Sequence, residues 1–324
     1  MSLDYLILAA GLGTRMKSEI PKVLHKILGK PMLYYLLKTI DKLQKEMNGR
    51  KIVVIGYKGE LVKKEFENED LIFVEQNPPL GTGHAVMCAK DVLKNGAENT
   101  MVLVGDAPLL SHETLKNLYE LHKKEKASCT ILTAEFENPG RYGRIVREGR
   151  NVKKIVEAVD ASPEELKIKE INSGIYVFNT KKLLKNLTKI KPDNVKKEYY
   201  LTDVVEILAE KGEKVCAYKT ENPEEIIGIN DRKTLSNVEK IILKKIVEKF
   251  QLEGVTFENP ETVYIEPDVK IGEDTFIEQG VRLLGNTEIG KGCKIGAFTT
   301  IKDSKISDNS EIGSFCYIEN AELL

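Results

Sequence analysis

Histidine is scarce and one-sided in this 324-residue chain: His25, His84, His112 and His122 all lie in the first half, and the last quarter has none. Cysteine is sparse and unpaired in pattern. Cys88, Cys129, Cys216, Cys293 and Cys316 are widely spaced, odd in number and free of any C-x-x-C pair. That excludes a disulfide or zinc framework and implies reduced, buried thiols in the cytoplasm. Charge of one sign is also missing, since 49 Lys+Arg stand against 50 Asp+Glu, a net charge of -1. No global attraction to nucleic acid or an anionic membrane follows, although a local basic site for a phosphorylated ligand does not need one. Long apolar runs are absent, none approaching the roughly 18 residues that span a bilayer. The opening "MSLDYLILAAG" carries Asp4 and no basic segment, which argues against a secretory signal. What remains is an ordinary globular composition, 41% hydrophobic and 31% charged, long enough for two domains.

Two hydrophobic periods divide the chain. Up to residue 230, "YLILAA" (5–10), "KIVVIG" (51–56), "LIFVEQ" (71–76), "TMVLVGD" (100–106) and "SCTILTAEF" (128–136) read as strands. Helical patterns at 31–47 and 111–126 lie between them, the second with Ser111 as a candidate N-cap. This alternation implies an α/β domain with a mainly parallel sheet, whose ligands bind at the strands' carboxyl ends. Residues 231–250 read as one amphipathic linker helix, with Leu235, Val238, Ile241, Ile242 and Phe250 on its apolar face. From 251 to 324 the period becomes six: Ile265, Ile271, Ile277, Leu283, Ile289, Ile295 and Ile301, then after one five-residue step Ile306, Ile312, Ile318 and Leu324. Small residues follow four positions on, including Thr275, Cys293, Thr299, Ser310 and Cys316. A six-residue beat is one side of a triangular parallel β-helix, with the aliphatic residue pointing inward.

Several stretches could carry chemistry. "LAAGLGTRMKSEIPKVLH" (8–25) follows a buried strand and resembles a phosphate loop. It lacks the third glycine of the dinucleotide fingerprint, Met16 standing there, and the Gly-Lys-Ser/Thr of a P-loop. Gly11 and Gly13 would let backbone N–H groups approach an anion, and Arg15 and Lys22 would add charge; a tight turn explains the loop equally well. Asp106 in "GDAPLL" could hold a hard cation or cap the turn before Pro108. In "EQNPPLGTGHA", Gln76 can donate and accept at once, matching a uracil or thymine edge, with Gly81 admitting the base. His84 reads as structural. Gly143, Glu157 and Asn172 offer polar groups suited to a sugar, with a solvated carboxylate and a turn former as the alternatives. Asn230 could ligate a metal or cap the following helix, and Thr202 could cap a helix in "EYYLTDVV".

In this order, "LAAGLGTRM…PKVLH", "LGTGHA", "YGRI", "IVEAVDA", "INSGIYVF", "YYLTDVV" and "GIND", followed by hexapeptide repeats, resemble the sugar-1-phosphate nucleotidyltransferases. The match narrows to the bacterial bifunctional N-acetylglucosamine-1-phosphate uridylyltransferase/glucosamine-1-phosphate acetyltransferase family and covers nearly the whole chain. The resemblance implies a Rossmann-like nucleotidyltransferase domain followed by a short left-handed parallel β-helix. It implies that Leu8, Ala9, Ala10 and Gly11 line the nucleotide, that Arg15 and Lys22 act on the triphosphate, and that Gln76, Gly81 and Thr82 read uridine. Gly143, Glu157, Asn172 and Thr202 would hold N-acetylglucosamine, and Asp106 and Asn230 would hold Mg2+. UTP and N-acetylglucosamine-1-phosphate would give UDP-N-acetylglucosamine, a peptidoglycan and lipopolysaccharide precursor, and pyrophosphate, in a cytoplasmic homotrimer built through the β-helix. The family often has a basic residue where Val159 stands. Its acetyltransferase site uses a histidine farther along the β-helix, so acetyl transfer is not expected of a chain whose repeats contain none and which lacks most of that domain. A relative acting on another sugar or nucleotide, and a non-catalytic regulatory subunit, are the competing expectations.

Overall fold

The computed structural model describes residues 3–323, which divide into two compact units. The first comprises residues up to His25 together with Met32–Asn230. Its centre is a nine-stranded sheet. Four strands, β1 (Leu3–Leu8), β2 (Lys51–Ile55), β3 (Ile72–Glu75) and β4 (Asn99–Val104), run parallel in the spatial order β4-β1-β2-β3. Beyond β4 lie β5 (Cys129–Glu135), the hairpin β6 (Arg144–Glu148) and β7 (Asn151–Val156), β8 (Glu170–Asn179) and β9 (Val215–Lys219). The sheet is mixed there, because β8 runs antiparallel to both β4 and β5. Strands β1, β2 and β4 are apolar and buried throughout most of their length, as a sheet covered on both faces requires. Side chains alternate between faces, so Leu3, Tyr5 and Ile7 join one core and Leu6 joins the other.

The first core is closed by α1 (Met32–Gln44), α2 (Gly59–Glu65) and α5 (His112–Glu125), and the second by α3 (Thr82–Cys88), α4 (Lys90–Lys94), α6 (Thr180–Leu187) and α7 (Thr202–Glu210). Ser111 does cap α5, its hydroxyl accepting from the Thr114 N–H at 3.1 Å. Thr202 does not cap α7: Leu201 occupies the cap position and offers no side-chain bond. No helix among the described residues is long and apolar enough to cross a membrane.

The second unit comprises Lys26–Pro31 and the described residues from Asp231 onward. Helix α8 (Arg232–Leu252) is capped by Asp231, whose carboxylate accepts from the Thr234 N–H at 2.8 Å. That position removes the capping alternative for Asn230. After α8, three four-stranded parallel sheets of two- and three-residue strands form a left-handed β-helix. Ladder partners Ile265 and Leu283, Ile271 and Ile289, and Ile277 and Ile295 stack along its inside, each 18 residues apart. The five-residue step shortens the next coils, so Ile289 faces Ile306 and Ile301 faces Ile318. Ile306 then pairs with Leu323, a second shortened step that the six-residue beat through Leu324 does not anticipate; Leu324 lies outside the described residues.

The small inward positions do more than save space. Thr275 and Thr299 are fully buried and their hydroxyls donate to the Gly290 and Gly313 carbonyls, both at 2.8 Å. Cys293 is equally buried, whereas Cys316, on the last described coil, is only half-covered. At Gly272 a Cβ would lie 2.6 Å from the backbone of Lys291, so the coils can stack at that edge only if glycine stands there.

Candidate functional site

Strands β4, β1, β2 and β3 are parallel neighbours, so the segments leaving their carboxyl ends emerge on one rim. Residues 9–25 follow β1, Gln76 follows β3 and Asp106 follows β4. They surround a cavity of about 410 Å³ walled by Leu8, Ala9, Ala10, Gly11, Lys22, Gln76, Gly81, Thr82, Asp106 and Glu198. The two loop glycines have different reasons to be glycine. Gly13 has φ 60°, and a Cβ on it would lie 2.8 Å from Lys22 Cβ. Around Gly11, by contrast, a Cβ would meet nothing within 4 Å. Only something entering the cavity would make that missing side chain matter. Met16, standing where the dinucleotide fingerprint has glycine, is 1% exposed and pins the loop into the core.

Lys22, Arg15, Asp106 and Asn230 come together despite lying up to 215 residues apart. The Lys22 ammonium forms an ion pair with Asp106 and donates to Asn230 Oδ1 at 2.8 Å. Arg15 donates to the same Asn230 oxygen at 2.8 Å. Gly228 backs the group, a Cβ there falling 3.6 Å from the Asp106 carboxylate. Asp106 and Asn230 thus turn two hard oxygen donors toward one point, and a cation, the Lys22 ammonium, already sits between them. This donor set fits a small divalent ion such as Mg2+, which takes one or two protein oxygens and fills the rest of its shell with water and phosphate. No group of three or more His, Cys, Asp or Glu suited to a metal occurs among the described residues.

At the Gln76 end, Nε2 donates to the Gly81 carbonyl at 2.9 Å and lies 3.2 Å from His84 Nδ1. One amide hydrogen is taken by the Gly81 carbonyl and the second is directed at His84 Nδ1, so with Nδ1 as acceptor Gln76 leaves a ligand its carbonyl oxygen rather than the donor and acceptor together read from sequence. Gly81 has φ 105°, and a Cβ would lie 2.6 Å from the Tyr199 carbonyl. Thr82 accepts from the Leu201 N–H at 3.0 Å, so it also tethers the 198–201 segment.

Gly143 and Glu157 flank the β6–β7 hairpin, Asn172 lies in β8 and Thr202 opens α7. The Gly143 carbonyl accepts from the Asn172 N–H at 2.9 Å. Asn172 sits where β8 breaks register, its Oδ1 accepting from the Gly174 N–H at 3.1 Å and its Nδ2 donating to Tyr176 Oη at 2.8 Å. The local bond to Gly174 and the break in register are what the turn-former alternative for Asn172 describes. Glu157 faces Tyr176; burial raises its carboxyl pKa, Lys196 opposes that, and Asp160 and Glu198 add to it. Asp203, in the first turn of α7, is pushed up to about 6 by burial and by Glu206, Glu157 and Asp160. Thr202 is 4% exposed and its hydroxyl has no hydrogen-bond partner among the described residues. A buried, unsatisfied hydroxyl costs about 1–3 kcal/mol, which a ligand hydroxyl or amide would relieve. Val159 is an exposed apolar residue.

Sequence reasoning passed over Tyr142, Tyr176 and Asp203. Tyr142 Oη accepts from the Gly228 N–H at 3.3 Å and feels the Asp106 charge, which joins the "YGRI" and "GIND" segments to the cluster of Lys22, Asp106 and Asn230. The tyrosine stood inside a quoted segment, but its partner lies 86 residues away, beyond the reach of local pattern.

The nucleotidyl transferase family model matches residues 5–223, and the bacterial transferase hexapeptide model matches residues 268–303. The bifunctional protein GlmU of Clostridium novyi is 46% identical over 316 residues, covering 97% of this chain and 68% of that protein. The chain belongs to the N-acetylglucosamine-1-phosphate uridylyltransferase (GlmU) family. GlmU of Halalkalibacterium halodurans is 43% identical over 308 residues, with 95% and 67% covered, so the chain spans about two thirds of these relatives. Among solved structures, a UDP-glucose pyrophosphorylase bound to UDP-glucose covers 76% of this chain and 100% of its own, with a TM-score of 0.58 and 22% identity. A Bacillus anthracis protein described as a putative glucose-1-phosphate thymidylyltransferase has a TM-score of 0.58 at 18% identity, covering 74% and 95%. Those two share the GlmU nucleotidyltransferase fold. Membership makes sugar-1-phosphate uridylyl transfer the chain's reaction class.

Proposed function

We propose that the site joins UTP to N-acetylglucosamine-1-phosphate, releasing pyrophosphate and UDP-N-acetylglucosamine. The observation that carries this reading is the convergence of Arg15, Lys22, Asp106 and Asn230 on the rim beside Gly11 and Gln76. A phosphate oxygen of the sugar phosphate forms a bond to the α-phosphorus of UTP, and the bond from that phosphorus to the bridging oxygen breaks, the electron pair leaving with pyrophosphate. Two anions must meet, so placement and charge neutralisation dominate the barrier. Lys22 and Arg15 supply positive charge to the phosphates, and the open face of Gly11 lets the backbone approach them. Asp106 and Asn230 would hold Mg2+, which when bound supplies charge stabilisation and a template for phosphate oxygens. Lys22 would then turn from Asp106 toward phosphate.

Uracil presents an N–H at N3, and the free Gln76 oxygen is its complement. Leu8, Ala9, Ala10, Gly81 and Thr82 would enclose the uridine. Glu157 would accept sugar hydroxyl hydrogens, Gly143 and Asn172 would flank the ring, and the unpartnered Thr202 hydroxyl would take a polar group of the sugar. We further assign this chain to the cytoplasm, where five free thiols are stable, as a precursor enzyme for peptidoglycan and lipopolysaccharide that assembles as a trimer through its β-helix. Initial rates with UTP and a sugar-phosphate panel test the substrate choice. N-acetylglucosamine-1-phosphate should exceed glucose-1-phosphate in kcat/KM by about tenfold or more, as expected when buried polar groups lose a partner; equal rates would remove the acetamido sugar from the reading.

A further inference from the structure

The Gln76 carboxamide is buried, and its orientation is decided by two neighbours. A backbone carbonyl can only accept, so the Gly81 oxygen at 2.9 Å faces the amide nitrogen and not the amide oxygen. The second amide hydrogen then meets His84 Nδ1, 3.2 Å away, and that nitrogen must accept. The neutral His84 ring consequently carries its proton on Nε2. Cys88, one turn along α3, places its sulfur 3.9 Å from that Nε2 and 4.0 Å from Nδ1, a weak polar partner beside the ring.

We propose that His84 is a positioning residue for nucleobase choice, its Nδ1 lone pair locking the Gln76 carboxamide so that only the carbonyl oxygen is offered to the base. This rests on the reading of Gln76 as the base contact. Uracil meets that oxygen with its N3 hydrogen, whereas cytosine has a lone pair at N3 and meets it with repulsion. An unrestrained carboxamide would rotate by half a turn and present its NH2 group to cytosine. Here the same rotation would set the amide oxygen against both the Gly81 carbonyl and the Nδ1 lone pair. Selectivity for a pyrimidine edge is thereby held by a side chain that does not line the cavity.

The test is steady-state kinetics with UTP and with CTP for the wild type, His84→Leu, His84→Asn and Gln76→Ala. His84→Leu should raise the KM for UTP and cut the preference for UTP over CTP by about 10- to 100-fold, the range for one unsatisfied hydrogen-bonding group, with kcat changing less than KM. His84→Asn places an accepting oxygen near the position of Nδ1 and should restore most of the preference. If His84→Leu keeps the wild-type KM and preference while Gln76→Ala loses them, the role of His84 is overturned and the base contact stands. If Gln76→Ala is silent as well, the base contact itself fails. Long-range proton–nitrogen NMR of the wild-type protein gives an answer that needs no variant: a proton on Nε2 is required, and a proton on Nδ1 overturns the proposal.

Discussion

Gly11 and Gly13 stand two residues apart and answer to different forces. An alanine at Gly13 would have to hold φ 60° and push Lys22 aside, whereas an alanine at Gly11 would enter open space. Gly13→Ala should therefore lower kcat and cost about 1–2 kcal/mol of stability. Gly11→Ala should leave the melting temperature unchanged and raise the KM for UTP; thermal melts and initial rates separate the two. His122 supplies a pH prediction. Its ring is buried between Thr130 Oγ1 at 2.9 Å and Asn99 Oδ1 at 3.2 Å, and burial pushes its pKa from 6.5 down to about 4. On acidification the unfolded chain takes up this proton first. The stability that neutral His122 contributes is complete above about pH 6.5 and is lost as pH falls toward 4, by on the order of 3 kcal/mol. An NMR titration should find the ring uncharged at pH 5; a charged ring there would contradict the assignment. The residue types were legible in outline, since Lys22 and Asp106, both singled out in the sequence, lie together in the structure. The hydrogen-bonding role of Gln76, whose amide hydrogens are directed at Gly81 and His84, was not legible, because a carboxamide looks bifunctional until its neighbours are known.

At the scale of elements, the strands and long helices were readable because burial on both faces and amphipathic spacing leave strong periodic marks. The hairpin Lys26–Pro31 was not. It comprises two two-residue strands around Leu28 and Gly29, both with positive φ, and it groups with the C-terminal unit through bonds such as Leu28 N–H to Glu239 at 3.0 Å. Nothing local to six residues announces a partner more than two hundred positions away. The start of α8 was misplaced by one residue for a related reason, since Asn230 and Asp231 are both good caps and only the Thr234 bond chooses between them. Asp231→Ala should cost about 1 kcal/mol in a denaturant titration, the usual value of an N-cap, without reducing turnover by more than a few-fold.

For the whole molecule, the change from alternating strands and helices to a six-residue beat marked two architectures, and the ladder registers bear that out from Ile265 to Ile318. The last coil departs from the beat because a second shortened step, from Ile318 to Leu323, follows two six-residue steps, which no count of earlier repeats foretells. No histidine occurs in residues 251–324, so the chain should release no free thiol from acetyl-CoA with glucosamine-1-phosphate; robust release would assign acetyl transfer to other groups. In the proposed reaction Lys22 and Asp106 stand at the reacting centre for uridylyl transfer. Pyrophosphate release from UTP and N-acetylglucosamine-1-phosphate tests it most directly, measured for the wild type, Lys22→Ala and Asp106→Ala with far-ultraviolet circular dichroism as the check on folding. Turnover by the wild type and a loss of about 100-fold or more in each folded variant is the expected result, and near-normal rates in either variant would contradict it.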